Sequence, residues 1–195
     1  LSVPAAPAQA PAANGGAVTT SEALEEALEA ADGGEIVLGG PVTLENAVTV
    51  TGDVTLDLAG NAISTAKKIT VTGSLTIQDS ASGGTISGTS GQMLWVKNGG
   101  AVTLESGGVS TTGYGAVRTD SGAVFRMSGG TLSGAPAVQA LNGTVEITGG
   151  QLESSKASYA AVENSSAAIT IDGAGVYLAG INPNGKVVTF QSGVI

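Results

Sequence analysis

No cysteine and no histidine occurs in the chain. That removes disulfides, thiol nucleophiles, histidine bases and the usual zinc ligands together. Aromatic residues make up only 3% and charged residues 12%. So few large side chains suit narrow coils filled by small aliphatics and suit a globular enzyme with a deep pocket poorly. Basic residues number seven against sixteen acidic ones, a net charge of −9. Binding to nucleic acid needs a basic stripe, which is missing, and the same balance disfavours anionic lipid headgroups. No apolar run approaches the ~20 residues that span a bilayer as a helix. No metal or cofactor is expected.

What the chain has in quantity is glycine, 31 residues of it, with Ala, Ser, Thr and Val. It also repeats itself. AVTLESGGVSTTGYGAVRTDSG is followed by AVFRMSGGTLSGAPAVQALNG and then by TVEITGGQLESSKASYAAVENSS. Each copy holds an alternating apolar run, a glycine corner, a second short run, a loop, and a third run (AVRTD, AVQAL, AVENS). Gly84, Gly108, Gly130 and Gly150 mark successive first corners, at intervals of roughly 20 to 24 residues. Strand chemistry at that period, with no helix inside the unit, specifies a β-solenoid.

Residues 1–17, rich in Ala and Pro and without periodicity, read as an extended, disordered leader. The opening LSVPAAPAQAPAANGG has no initiator methionine and reads as a segment from which a signal peptide has been removed. TTSEALEEALEAADGG then forms a short helix over about residues 20–32. Thr19 and Glu22 make its capping box, Leu24, Leu28 and Ala31 its apolar face, and Gly33-Gly34 its end. Its expected place is over the first coil, covering an otherwise open core and open strand edges. The β-helix domain covers residues 18–195. Its last unit shows no polar cap, so the natural protein is expected to continue past Ile195.

Aligning the third runs gives a register. Leu94, Val117, Val138, Val162 and Val188 form one inward column, and Val96, Thr119, Ala140, Asn164 and Phe190 a second. Trp95, Arg118, Gln139, Glu163 and Thr189 then point outward, as do Lys97, Asp120, Leu141, Ser165 and Gln191. Neighbours in a column lie ~4.8 Å apart. The first runs align less simply. Val102 and Leu104 match Phe125 and Met127 only with an extra residue before Gly107, so a bulge is expected there.

The ADGGEIVL end of the helical cap, the TLDLAGNAI segment (55–63) and the VEITGGQL-like coils resemble the pectin-lyase-like superfamily of right-handed parallel β-helices. More narrowly, they resemble repeat-rich, adhesin-like surface proteins of Gram-positive, often gut-dwelling, bacteria. The resemblance, over about residues 18–195, implies an all-β, single-stranded right-handed parallel β-helix with an N-terminal capping helix. About seven or eight coils of three strands are expected. A right-handed crossover is also the general rule for parallel strands. A secreted or cell-wall-associated bacterial protein, monomeric, is expected from the resemblance and the cysteine-free composition.

Within that superfamily, lyases use an Arg or Lys base beside an acidic calcium cluster, and hydrolases use grouped aspartates. Here Asp53 and Asp57 lie four residues apart on one strand, about 13 Å, beyond the ~5–9.5 Å of paired glycosidase carboxyls. Arg118 and Asp120 share a face, but Lys97 stacks under Asp120 as an expected ion pair and Arg118 over Trp95 as a cation–π contact. No catalytic residue is assigned. The calcium-binding nonapeptide spacing is absent.

Carbohydrate contact is the better reading. Sugars bind aromatic platforms flanked by hydrogen-bonding groups. Trp95 has Arg118, Gln139 and Glu163 beside it. Tyr114 and Tyr159 each precede an inward valine by three residues, so they line up two coils, ~9.6 Å, apart with Ala135 between, as a shallow track. The plainer reading is that these aromatics only cover a corner and exposed aliphatic surface. Ice binding through a Thr43, Thr55, Thr76 and Thr103 column is disfavoured, because Arg126 and Glu146 interrupt it and Thr is a common strand residue. Asn61, Asn98, Asn142 and Asn164 read as turn caps or short ladders. The function expected is therefore non-enzymatic: an adhesin-like surface β-helix contacting glycans or host and cell-surface components. The alternatives are a polysaccharide-active lyase or glycosidase, or its remnant, and a rigid spacer.

Overall fold

Short runs of Val, Ile, Leu and Thr, broken every few residues by Gly, Asn, Asp or Ser, cannot sustain a helix and fold as three-to-five-residue strands with tight corners. The computed structural model describes residues 16–30, 33–172, 176–178, 181–182 and 188–192, with side chains described as far as Asp172. The expected leader lies outside them except at residues 16 and 17, and so does Ala31 of the expected helix face.

The strands form three parallel sheets of eight, seven and seven, each strand pairing with those three places before and after it. That is a right-handed parallel β-helix, and its number of laps is close to the one expected. Inward columns run the length of the rod. In the first sheet Val54, Leu75, Val102, Phe125, Val145 and Ile169 stack. In the second, Val42, Ile63, Ile86, Val109, Leu132 and Leu152 do so. In the third, the column is Val48, Ile69, Leu94, Val117, Val138 and Val162. All eighteen are buried. Each such side chain contributes about 1.5–3 kcal/mol on leaving water, which sets the register against slippage.

The first corner departs from the expected alignment. Leu104 pairs with Met127 and Gly108 with Thr131, with three residues between in both coils. No bulge is present, and the repeated corner glycine is Gly107, not Gly108. Gly107 and Gly130 turn at φ +80° and +77°. A Cβ on Gly130 would meet the Gly107 carbonyl oxygen at 2.5 Å, so stacked corners require glycine twice over.

The alignment also fails at the far end. Val188 and Phe190 pair with Ile169 and Ile171 in the first sheet, and Ile181 continues the third-sheet column after Val162. The last lap is shorter than those before it, so these residues fall in the first sheet and not the third. Thr55, Thr76 and Thr103 do share a column, but Thr43 belongs to the second sheet, where it pairs with Ser64.

The helix, α1, spans Ser21–Glu29. Its N-cap is Thr20, whose hydroxyl accepts from the Ala23 N–H at 3.3 Å, and not Thr19. Thr19 lies beyond the Val18–Leu38 bridge that pairs the incoming chain with the first coil, so the extended residue that starts the helix is the next one. Leu24 and Leu28 are fully buried over that coil, as expected. Glu25 fastens the helix down: its carboxylate accepts from the N–H groups of Glu45 (2.8 Å) and Asn46 (2.9 Å) and from the Asn46 amide (2.9 Å). The Asn46 side chain and backbone donors hold the Glu25 carboxyl below the usual carboxylate range.

Candidate functional site

In the third sheet, burial of Leu94, Val117, Val138 and Val162 turns the intervening residues outward, since successive side chains alternate. Trp95, Arg118, Gln139 and Glu163 consequently stand in one column across four coils, as the sequence indicates. Thr70 pairs below Trp95 and is itself buried. All four column residues are half-buried.

At the lower end the indole organises the charges. Trp95 Nε1 donates to Asp120 Oδ2 at 2.6 Å, and the two oxygens of Asp120 accept from Arg118 Nε at 3.0 Å and Nη2 at 3.4 Å. Arg118 Cζ lies 4.9 Å from the ring centroid, which is the expected cation–π contact. The expected Lys97–Asp120 ion pair is replaced. The Arg118 fork, two residues away on the same strand, already occupies both oxygens, and Lys97 Nζ sits instead 4.6 Å over Trp95. Lys68 Nζ, from the preceding coil, is 4.4 Å over the same ring. Lys68 is not among the residues that the repeats single out, because KITV precedes the copies that define the register. The signal was there: Lys68 falls two residues before Thr70, on Trp95's side of the strand.

At the upper end the column turns acidic and phenolic. Tyr114 Oη reaches Glu163 Oε2 at 3.5 Å, a long bond. Burial first, and the Glu163 charge second, push the Tyr114 phenol above its ordinary value. Tyr114 and Tyr159 meet edge to face at 5.6 Å between centroids, and Ala135 is buried. The rings thus stand closer than the ~9.6 Å expected from their two-coil spacing, leaning together in an edge-to-face contact. Between the two ends, Gln139 Oε1 is buried with no hydrogen-bond partner. A buried acceptor left unpaired costs about 1–3 kcal/mol.

Two carboxylates elsewhere, Asp57 and Asp79, are tied into corners. Asp57 Oδ1 accepts from Ala59 N–H (2.8 Å) and Ser80 N–H (3.0 Å); burial pushes its carboxyl up, but these donors outweigh it and hold it low. Asp79 accepts from Gly60 N–H (2.6 Å) and Gly84 N–H (2.7 Å). A cleft of about 310 Å³ lies at this glycine corner, lined in part by Asp79, Thr85, Ser106 and Thr131, and no residue of the Trp95 column borders it. Asn61, Asn142 and Asn164 bond to turn backbone within three residues of themselves, as expected of caps. Among the described residues no three acidic side chains converge as a metal site would require, and no helix is long and apolar enough to cross a membrane.

Fold and column together define a class: a parallel β-helix with an aromatic and charged file on one outer sheet. Comparison with protein-family models, curated proteins and solved structures finds no match to the chain.

Proposed function

We propose that this chain is a secreted or cell-surface β-helix, adhesin-like in role, that holds a glycan-contacting face rigid and acts by binding and not by catalysis. The observation carrying this reading is the Trp95–Arg118–Gln139–Glu163 column, displayed on strands that the core fixes in place. Sequence resemblance to adhesin-like members of the pectin-lyase-like superfamily points the same way. The two acid–base candidates support it too, since Asp57 is engaged by backbone donors and Arg118 and Asp120 by each other.

A glycan array probed with the intact chain tests the proposal. Trp95→Ala is expected to lower any genuine signal at least about tenfold, a loss near 1.4 kcal/mol. Binding that survives this change, with far-UV circular dichroism unaltered, would show that the column is not the site. Incubation with polygalacturonate and calcium checks the other half. Growth of the ultraviolet absorbance of unsaturated product would overturn the non-enzymatic assignment.

A further inference from the structure

We infer that the Trp95 end of this column takes a sulfated glycan. The inference rests on the glycan-binding reading above and adds the chemical class of the ligand.

Three of the chain's seven basic residues stand over one indole ring, Lys68 at 4.4 Å, Lys97 at 4.6 Å and Arg118 at 4.9 Å. A neutral sugar binds tryptophan by laying its C–H face on the ring, and these cations stand over the ring where that sugar would lie. Trp95 is thus less a stacking platform than a holder of positive charge. The ring's negative face attracts each cation, yet the three repel one another, and a bound anion relieves that repulsion. Only Arg118 is neutralised from within, by Asp120. Among the described residues neither Lys68 nor Lys97 forms an ion pair.

The shape of the remaining donors selects the anion. Planar carboxylates are best read by the guanidinium fork, and that fork is already spent on Asp120 at 3.0 and 3.4 Å. What is left is a pair of ammonium groups, compact point charges with rotatable donors, suited to a tetrahedral sulfate ester. A chain of net charge −9 repels a polyanion over most of its surface, so attachment has to be local to this patch. Tyr114 and Glu163, at the other end, favour the uncharged hydroxyls of the same polymer and set its direction.

The test uses the full chain and three polysaccharide probes: heparin, the same polymer chemically desulfated, and polygalacturonate. Heparin is expected to bind, more weakly as salt rises, and at least about tenfold more tightly than either other probe. The double variant Lys68→Gln/Lys97→Gln is expected to lose about tenfold or more of that affinity, while the thermal midpoint and circular dichroism hold. Lys68→Arg/Lys97→Arg should retain it, and Lys156→Gln, remote from the ring, should change nothing. Equal affinity for desulfated heparin or for polygalacturonate would overturn the sulfate assignment, as would full affinity in the double glutamine variant. Failure to bind heparin, alongside an array signal from a neutral glycan that Trp95→Ala removes, would overturn this inference and leave the broader glycan reading intact.

Discussion

Two outer faces of the rod share a scaffold and differ in what they carry. On the second sheet, Thr43, Ser64, Ser87, Ser110 and Ser133 follow one another in a single outward column. On the third, Thr70, Trp95, Arg118, Gln139 and Glu163 do. Both columns sit beside unbroken inward files of Val, Ile and Leu. Parallel stacking places like position on like position, so backbone geometry cannot distinguish the faces. Side-chain reach does. None of the serine hydroxyls from Ser64 to Ser133 bonds another side chain, whereas the longer groups of the third sheet bond and stack across coils, from Lys68 through Trp95 to Asp120 and from Tyr114 to Glu163. The solenoid supplies a ruler, and of these two faces only the third sheet uses it to link side chains across coils.

That contrast requires one core beneath both faces, and the largest expected effect tests this. Phe125 is the largest fully buried side chain among the described residues and belongs to the first sheet, under neither face. Phe125→Ala should cost about 3–5 kcal/mol through lost transfer energy and the cavity left behind. Trp95 fluorescence, which reports the third sheet, and far-UV circular dichroism, which reports all three, should shift to the same lower denaturant midpoint. Separate midpoints would break the premise of a shared core, as a one-dimensional stack that melts piecewise would do.

Next in size is a contrast inside the rod. Thr111, at the end of a second-sheet strand, donates its hydroxyl to the Ser90 carbonyl at 2.7 Å and accepts from Gly113 N–H at 3.0 Å. Thr119, under the third sheet between Val96 and Ala140, is fully buried and its hydroxyl has no partner. The same substitution should therefore have opposite signs. Thr111→Val loses two hydrogen bonds and strands their partners, costing about 1–3 kcal/mol. Thr119→Val removes an orphan from an apolar column and should add about 1 kcal/mol. Urea denaturation of the two variants measures both. A destabilised Thr119→Val would show that the hydroxyl has a partner, such as a buried water, and that the columns are not dry throughout.

Much of this was legible because a β-helix converts sequence period directly into spatial neighbourhood. Leu94, Val117, Val138 and Val162 recur with the same flanking pattern, so their burial and the outward file beside them could be read without coordinates. Legibility failed where that rule weakens. At the first corner, two adjacent glycines in each coil hid which one repeats, and the choice of Gly108 over Gly107 created a bulge that does not exist. Near the end, the lap from Val162 to Ile181 takes fewer residues than the laps before it, which puts Val188 in the first sheet and not the third. The site's charges were misread for a different reason. Register places Cα atoms, but Lys and Arg side chains are long enough to choose among several neighbours. Lys97 leaves Asp120 for the Trp95 ring because Arg118 is already there. Electrostatic competition of that kind has no periodic signature.

The smallest expected effect bears hardest on the contrast between the faces. Ser87 sits in the middle of the second-sheet column, half-buried, between Ser64 and Ser110, and its hydroxyl bonds no other side chain. Ser87→Ala removes a group that water already serves, and the methyl that remains fits the same pleated position. Stability should change by no more than about 0.5 kcal/mol, and glycan affinity should not change at all. The matching substitution on the third sheet, Gln139→Ala, deletes the buried unpaired oxygen and leaves the strands in place, so it should alter affinity while adding about 1 kcal/mol of stability. If Ser87→Ala weakened binding as much as Gln139→Ala did, the small hydroxyls would be part of the recognition surface. The ligand would then wrap the corner between two sheets, and side-chain reach would no longer be what separates a binding face from a merely solvated one.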